Sequence, residues 1–391
     1  MSLISEIEKG ESKKLEFKET FPDSSKISKT AVAFSNGAGG KLIIGVNDNR
    51  EIVGVSDEDI FEFSDRISNI IYDSCYPMII PEIYSENING KNAVIVQIYP
   101  GNLKPYYLKR YGKNNGTYIR IGATNKRADA EAIMELERQK RNISFDEECI
   151  YEYSLSDMDI EKLKNDFFKY TRRELNEEAL LNMKLIKEEN DKKYPTKALG
   201  LLAAKNNIFE FARIKCARFK GYDTEEFIDQ KEFNGPLYNQ IENAIIFAKT
   251  HIKKRGKIKG LQRIDEYDIP IVAIREAIAN AVVHRDYSIS GSDIKFAIFD
   301  DRVEITSPGS LPKTLDVDDI KMGRSEIRNK VIARFFKEIG FIEEWGTGIK
   351  RIISSCSAMN LKEPQFIETG MFFKVIIYNT SNDKVAISSD K

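Results

Sequence analysis

Residues 275–287, Arg-Glu-Ala-Ile-Ala-Asn-Ala-Val-Val-His-Arg-Asp-Tyr, constrain the fold of this chain more than any other stretch. Their apolar members recur at helical spacing, so one face of the predicted helix is buried. Glu276 and Asn280 lie four residues apart and His284 one turn further on, so the three side chains share one side of the helix. Because such groups are costly to bury without partners, this polar stripe predicts either the lining of a site or a solvated helix face.

Two downstream segments favour the site. Residues 303–312 are predicted to form a short strand that runs into a turn rich in Pro and Gly. Gly346, Thr347 and Gly348 stand at the predicted start of a helix, where backbone N–H groups commonly hold an anion. A polar helix face combined with such a helix start predicts an anion-binding pocket.

The order of these segments resembles that of GHKL-type ATPases: Glu-x3-Asn-Ala on a helix, a strand ending in a Gly turn, and Gly-Thr-Gly-Ile at a helix start. His-Arg-Asp-Tyr-Ser at 284–288 and Ser-Pro-Gly-Ser-Leu-Pro at 307–312 are similar to strings of the RecG-C-terminal-like branch of that superfamily. The resemblance implies an α/β sandwich that binds ATP together with Mg²⁺.

The resemblance also implies a role for each residue of the pocket. Glu276 would act as the general base that orients water toward the γ-phosphate, and Asn280 would bind Mg²⁺. Residues 323–329 would form a lid. GHKL proteins carry an Asp before the first Gly turn to recognise the adenine amino group; Ser307 stands there instead, which leaves ATP specificity and hydrolysis open. The implied cofactor-binding residues are Asn280, Ser307, Gly309, Arg328, Gly346, Thr347 and Gly348.

The N-terminal part of the chain is predicted to be an α+β domain of ordinary size. Its sequence Glu-Ser-x2-Leu-Glu-Phe-Lys, followed by Ala-Phe-Ser-Asn-Gly-x-Gly-Gly-x-Leu-x-Ile-Gly-Val-x-Asp and by Tyr-Ile-Arg-Ile-Gly-Ala-Thr at 118–124, resembles the Schlafen-type, Alba-like domain. In eukaryotic Schlafens this fold can cleave RNA with acids that match Glu11, Glu16 and Asp48. In bacteria it is more often a nucleic-acid-binding domain of transcriptional regulators.

Three carboxylates brought together could hold Mg²⁺ or Mn²⁺ and generate a hydroxide for attack on a phosphodiester. Glu11, Glu16 and Asp48 are therefore candidate catalytic residues and metal ligands, whereas each taken singly is more typical of a solvated surface acid. A Schlafen nuclease core pairs two lobes and this chain carries one, so a homodimer or higher homo-oligomer would be needed.

Basic residues of the same domain are candidates for DNA or RNA binding. Together with Tyr106, Tyr107 and Tyr118 they could supply phosphate contacts and base stacking, although clustered surface lysines usually serve solubility. The candidates are Lys13, Lys14, Lys18, Lys29, Arg120, Lys126 and Arg127.

The remaining pattern predicts a multidomain α+β protein. Residues 1–145 form the Schlafen/Alba-like domain, 146–270 a connecting domain largely of helices, 271–380 the GHKL-like domain, and 381–391 a flexible tail. Within the connecting domain, 187–193 and 255–260 are predicted loops.

Composition narrows the setting of the protein. The chain has 60 basic and 61 acidic residues, so no overall charge points to nucleic acid or membrane. Its four cysteines lack CxxC spacing, so we expect them to be reduced thiols. With only two histidines in the chain, we do not expect a zinc site. The sequence shows no signal peptide, no apolar run of membrane-spanning length and no GxxxxGK[ST] motif, so we expect a cytoplasmic protein without a P-loop motor.

Three functions are consistent with these features. The first is a regulator whose N-terminal domain binds nucleic acid and whose nucleotide state sets conformation or dimerisation. The second is a metal-dependent nuclease that uses Glu11, Glu16 and Asp48, in a defence role. The third is a scaffold in which both pockets have decayed. The first is the preferred prediction.

Overall fold

The computed structural model describes residues 3–206, 208–259, 262–312, 314–343 and 346–379. The chain divides into two compact units, Met1–Ile143 and Ser144–Lys391, each considered by itself below. Both units combine helices with sheets, which confirms the predicted multidomain α+β class. The predicted tail, 381–391, lies outside the described residues.

The first unit is built on a four-stranded sheet. Its strands follow the spatial order Leu15–Lys18, Gly40–Ile44, Lys91–Ile98 and Glu82–Ile88. The first two strands are parallel and the other neighbours antiparallel. Two small antiparallel pairs, Cys75–Tyr76 with Tyr107–Leu108 and Tyr118–Ile121 with Thr124–Arg127, complete the strands of this unit.

Both faces of this sheet are buried, because alternate residues of its central strands enter two separate cores. Leu42 and Ile44 pack into the core beneath the long helices, while Ile43 packs on the opposite face with Leu3 and Ile7 of the first helix. The helices of the unit are Leu3–Lys9, Ser24–Asn36, Asp57–Ser74, Gly112–Gly116 and Ala130–Arg141, with a 3₁₀ turn at Lys109–Tyr111.

The second unit is built on a six-stranded sheet. Its strands follow the order Phe227–Phe233, Ile214–Phe219, Ile294–Ile298, Arg302–Pro308, Phe372–Tyr378 and Gln365–Thr369. Ile214–Phe219 runs parallel to Ile294–Ile298, and all other neighbours are antiparallel. The predicted connecting domain, 146–270, thus supplies two strands to the sheet of the predicted nucleotide-binding domain, 271–380, and both lie in one compact unit.

The helices of the second unit share one hydrophobic core with that sheet. Phe167, from the predicted connecting domain, lies 5.9 Å from Phe335 between ring centroids, so side chains from both regions fill the same interior. The helices are Ile160–Thr171, Glu177–Asn182, Lys197–Ala203, Leu237–His251, Ile271–Val283, Val317–Met322, Lys330–Glu338 and Gly348–Ala358, with 3₁₀ turns at Phe145–Glu147 and Leu155–Asp157.

Two loops predicted in the second unit are wrong. Residues 187–193 lie in a hairpin of Ile186–Glu189 with Lys192–Pro195, whose turn places Asn190 and Asp191 at positive φ. Residues 255–260 overlap a second hairpin, Lys254–Lys259 with Gln262–Tyr267. Both segments are rich in charged residues, which is typical of loops. A two-stranded hairpin on the surface can have the same composition, so composition alone does not distinguish the two.

Candidate functional site

One pocket in the second unit collects most of the residues predicted to bind a cofactor. It holds about 880 Å³ of empty space, which includes open solvent at its mouth. Apolar side chains form much of its wall, among them Ile305, Leu315 and Val375. The predicted residues on the wall are Asn280, Ser307, Gly309, Arg328, Gly346 and Gly348.

The helix Ile271–Val283, which we call the site helix, packs against Gly348–Ala358, which we call the glycine helix. A Cβ placed on Gly348 would lie 3.0 Å from Asn280 Nδ2 and 3.0 Å from Glu276 Oε2. The start of the glycine helix therefore touches the polar stripe of the site helix directly. Thr347 does not cap this helix with its side chain, so its hydroxyl leaves the first backbone N–H groups to other acceptors.

Glu276 is almost fully buried and forms an ion pair that the sequence did not reveal. Arg351, one turn into the glycine helix, donates from Nη1 to Glu276 Oε1 at 2.8 Å and also contacts Glu343. Thr347 Oγ1 donates to Glu343 Oε2 at 3.1 Å, and both contacts hold the pKa of Glu343 below its ordinary value. The candidate general base is thus paired with a guanidinium.

Ser307 is buried and its hydroxyl donates to the backbone oxygen of Ala281 at 2.8 Å. This bond ties the strand Arg302–Pro308 to the site helix and uses the only proton of the hydroxyl. The oxygen of Ser307 keeps lone pairs that can accept a hydrogen bond from a ligand.

Gly309 adopts φ +111°, and its missing side chain makes room for Arg328. A Cβ on Gly309 would lie 2.1 Å from Arg328 Nη1, while this guanidinium donates to the backbone oxygens of His284 at 3.1 Å and Ser310 at 2.6 Å. Burial and the nearby Arg328 lower the pKa of His284 to about 4, so the imidazole is neutral near pH 7. Arg328 therefore pins the predicted lid to the Gly turn.

The other lid residues have defined partners. Arg324 Nη1 donates to Asp319 Oδ1 at 2.8 Å, and Asn329 Nδ2 donates to the backbone oxygens of Val283 and Arg285, both at 2.8 Å. Asn329 is completely buried. The lid segment 323–329 is consequently fastened to the end of the site helix rather than hanging free.

The helix that follows the lid is capped by a buried carboxylate, Asp146, that the sequence did not predict. Asp146 accepts from the backbone N–H groups of Val331 and Ile332, at 2.8 and 2.7 Å, and so caps the helix Lys330–Glu338. Burial raises the pKa of Asp146 to about 6, against the opposing hydrogen bonds from Ser144 and the two amides. Its position in a predicted linker gave no signal of this role.

The acids of the first unit do not form the predicted metal site. Glu16 is buried against Arg120 and accepts from Lys18 Nζ at 2.7 Å, and Glu11 accepts from the backbone N–H of Phe17 at 2.9 Å. Asp48 is exposed in a turn. Among the described residues no group of three or more His, Cys, Asp or Glu side chains could hold a metal ion. The prediction of a site for Mg²⁺ or Mn²⁺ at Glu11, Glu16 and Asp48 is therefore corrected.

The basic candidates of the first unit separate into internal and surface groups. Arg120 is buried and donates to the backbone oxygens of Ser12 and Leu15, so it supports the domain from inside instead of facing a phosphate. Tyr106 is likewise buried rather than available for stacking. Lys18 is half-buried between Glu11 and Glu16.

The surface group surrounds the hairpin Tyr118–Arg127. Lys29 Nζ lies 5.6 Å above the ring centroid of Tyr118, and Arg127 is the cross-strand neighbour of that tyrosine. Lys126 and Arg127 are exposed. Lys13 and Lys14, on the approach to the first strand, are half-buried.

None of the helices in the described parts of the chain is both long enough and apolar enough to cross a membrane.

Comparison with known proteins supports both domain predictions. Residues 11–129 match the family model "Schlafen, AlbA_2", and residues 291–377 match "Putative ATP-dependent DNA helicase recG C-terminal". The second match begins after the site helix and contains the Gly turn, the lid and the glycine helix start. A comparison with curated proteins gives no match.

Two solved structures match this chain. Protein DIP2311 of Corynebacterium diphtheriae shares 18% identity and a TM-score of 0.52 over 94% of this chain and 76% of that one, a likeness of fold. The N-terminal domain of a RecG-related protein from Nitrosomonas europaea shares 26% identity over 32% of this chain and 90% of that one, with a TM-score of 0.25. The N-terminal part of this chain thus matches the Schlafen AlbA_2 family and its C-terminal part matches the RecG C-terminal family.

Proposed function

We propose that the second unit binds ATP with Mg²⁺, that the first unit binds DNA or RNA, and that the protein is a regulator. In this proposal the bound nucleotide sets the conformation or dimerisation of the chain, and with it the grip on nucleic acid. The two matched family models, one named for Schlafen and AlbA_2 and one for an ATP-dependent helicase, support this combination.

The observation that carries the nucleotide proposal is the contact between the site helix and the start of the glycine helix. Beside this contact the two helices line one pocket, with Asn280 of the site helix and Gly346 and Gly348 at the start of the glycine helix on its wall. An amide oxygen on one wall and uncapped backbone N–H groups on the other form a cradle for phosphate and its cation. The residues present therefore fit a Mg²⁺-bound triphosphate.

Each proposed contact follows from the chemistry of its side chain. Asn280 would hold the magnesium ion, which would neutralise phosphate charge. Gly346, Thr347 and Gly348 offer backbone N–H groups to the phosphates. The apolar wall around Ile305 receives the base, and the oxygen of Ser307 accepts from its amino group.

Hydrolysis depends on the state of Glu276. A carboxylate that orients water must present a lone pair to it, and one oxygen of Glu276 is engaged by Arg351 at 2.8 Å. We propose that Glu276 acts as the base through its second oxygen, Oε2, which faces Gly348. We therefore expect this domain to bind ATP faster than it hydrolyses it.

Nucleotide control of the chain rests on the lid. Arg328 lines the pocket and donates to the backbone oxygens of His284, at the end of the site helix, and of Ser310, in the Gly turn, so a ligand that displaces or recruits its guanidinium changes how the lid is held. Asn329 and the helix Lys330–Glu338 follow immediately and transmit that change into the core of the unit.

For the first unit, the surface cations around Tyr118 are the proposed nucleic-acid contacts. Lys29, Lys126 and Arg127 offer positive charge beside an aromatic ring, which suits phosphate contact with base stacking. A metal-dependent nuclease is not proposed, since Glu11, Glu16 and Asp48 do not together form a group that could hold a metal ion.

Equilibrium binding of ATP to the full chain, with and without Mg²⁺, tests the nucleotide site. Wild type should bind ATP in a Mg²⁺-dependent way, and at a hundred-fold excess over Kd binding should stabilise the fold by about 2.7 kcal/mol in a thermal shift. Asn280→Ala should lose the Mg²⁺-dependent part. Asn243→Ala, on the exposed face of the helix Leu237–His251, is the matched control. Unchanged Mg²⁺-dependent binding by Asn280→Ala refutes the proposed site.

A further inference from the structure

Tyrosines that are exposed or half-buried lie where two short strands of the first unit pair. Cys75 pairs with Leu108 and Tyr76 with Tyr107. Because side chains alternate across a strand, Cys75 and Leu108 enter the core while Tyr76 and Tyr107 face outward, with ring centroids 5.4 Å apart. Tyr76 is 54% exposed, so much of its ring is open to solvent. The core residues thus hold two outward rings at a fixed place.

Cations lie against neighbouring rings. Lys109 Nζ lies 5.6 Å from the ring centroid of Tyr72 and donates to the backbone oxygen of that residue at 2.8 Å. The guanidinium of Arg110 lies 5.7 Å from the ring centroid of Tyr111. Within the described part of the chain neither Lys109 nor Arg110 is paired with a carboxylate. We call the set Tyr72, Tyr76, Tyr107, Lys109, Arg110 and Tyr111 the tyrosine surface.

The tyrosine surface is anchored to the same helix end as the hairpin Tyr118–Arg127. Asn36, fully buried at the end of Ser24–Asn36, donates from Nδ2 to the backbone oxygens of Tyr106 at 2.8 Å and Tyr118 at 2.9 Å. It also accepts from the backbone N–H of Tyr106 at 2.7 Å. One buried amide therefore fixes both segments relative to each other.

We infer that the tyrosine surface binds single-stranded nucleic acid by stacking unpaired bases on its rings while Lys109 and Arg110 contact the phosphates. This inference rests on the proposed nucleic-acid binding of the first unit and adds a contact region and a substrate class to it.

The chemistry favours a single strand over the other occupants of an aromatic surface. Every base has a flat face that stacks on an aromatic ring, but in a duplex those faces are already covered by neighbouring bases. The segments 72–76 and 107–111 carry two cations against one carboxylate, Asp73, which suits a polyanion. The tyrosine rings can stack on the bases of a single strand, and the neighbouring cations, which have no carboxylate partner among the described residues, can contact its phosphates.

Fluorescence anisotropy of the full chain tests this inference. The probes are labelled oligo(U) and oligo(dT), each about 16 nucleotides long, and a duplex of equal length, titrated at several salt concentrations. Tyr76→Ala should weaken single-strand binding about tenfold and Tyr76→Phe should restore it. Lys109→Ala should reduce the slope of log affinity against log salt by about 0.7. Tyr99→Ala is the control, since Tyr99 is 57% exposed on the same unit.

The outcomes separate this inference from the function on which it rests. Wild-type binding that Tyr76→Ala weakens, with Tyr99→Ala unchanged, supports it. Wild-type binding with equal affinity in Tyr76→Ala overturns the tyrosine surface and leaves nucleic-acid binding by the unit intact. A change of oligomeric state in Tyr76→Ala without a change in affinity identifies a protein interface and also overturns it. No binding of any probe by wild type removes the proposed function itself.

Discussion

Replacing Asp146 by Asn should stabilise the second unit near pH 7. Asp146 is fully buried, and its Oδ2 accepts from the backbone N–H groups of Val331 and Ile332 while Ser144 donates to Oδ1. An Asn side chain can keep all three bonds, because its oxygen accepts from both amides and its NH₂ group donates to the Ser144 hydroxyl. The substitution therefore removes a buried charge and little else.

The magnitude follows from the pKa of Asp146, which burial raises from 3.8 to about 6. A carboxyl whose pKa is higher in the folded state favours folding when protonated. Its stabilising contribution is complete below pH 4 and is lost as the pH rises to about 6. Since one pH unit is worth about 1.4 kcal/mol, the loss amounts to about 3 kcal/mol. This pKa already includes the opposing hydrogen bonds from Ser144 and the two helix amides, so Asp146→Asn should gain about 3 kcal/mol at pH 7.

Urea unfolding of the full chain at pH 4 and pH 7 measures this difference. Wild type and Asp146→Asn should be similar at pH 4 and diverge at pH 7. Asp146→Ala leaves two buried amides without an acceptor and should lose about 2–4 kcal/mol relative to wild type at pH 4. Because Ala does not titrate, this difference should shrink by about 3 kcal/mol at pH 7, so the two proteins should be close in stability there. Asp159→Asn, at the partly exposed start of Ile160–Thr171, controls for exchanging a capping Asp for Asn. If Asp146→Asn is as unstable as Asp146→Ala at pH 7, the helix requires the charge and the reasoning is wrong.

Three further predictions concern the candidate sites. Gly348→Ala should weaken Mg²⁺-ATP binding at least tenfold in equilibrium titrations while leaving the fold intact, because the added Cβ lies 3.0 Å from Asn280 Nδ2; unchanged affinity would place the phosphates elsewhere. Arg351→Ala should change the ratio of ATP turnover to ATP affinity by freeing the candidate general base, and an unchanged ratio would show that the ion pair is only structural. Glu16→Ala should cost about 3–5 kcal/mol in chemical denaturation, since it leaves Arg120 buried without its carboxylate; a loss below 1 kcal/mol would contradict that role.

The candidate pocket was largely predictable from the sequence because its parts are local motifs. Helical spacing alone places Glu276 and Asn280 on one face, and a glycine pair marks a helix start without reference to the rest of the fold. The resemblance then supplied the order in which these motifs converge. The contact of Gly348 with Asn280 agrees with that order.

Pairings between distant segments were not predictable in this way. The parallel pairing of Ile214–Phe219 with Ile294–Ile298 joins two regions that the sequence pattern assigned to separate domains. Asp146 lies in an unremarkable acidic stretch, and only the approach of the helix Lys330–Glu338 buries it. Hydrophobic periodicity reports which face of an element is buried but not which element covers it.

Two of the four carboxylates predicted to be catalytic, Glu16 and Glu276, show how burial affects what a carboxylate can do. Each meets an arginine from a downstream element. The side chain of Arg120 is 3% exposed and also bonded to backbone oxygens, so breaking its pair with Glu16 would strand a charge in the interior. Arg351 is 35% exposed, and its other partner, Glu343, lies at the surface. Water can solvate Arg351 when it leaves Glu276, but the Glu276 carboxylate is 10% exposed and would stay buried, so we expect this pair to open only when another positive charge takes the place of the guanidinium. The same residue types in the same pairing are therefore a structural lock in the first unit and an exchangeable contact in the second.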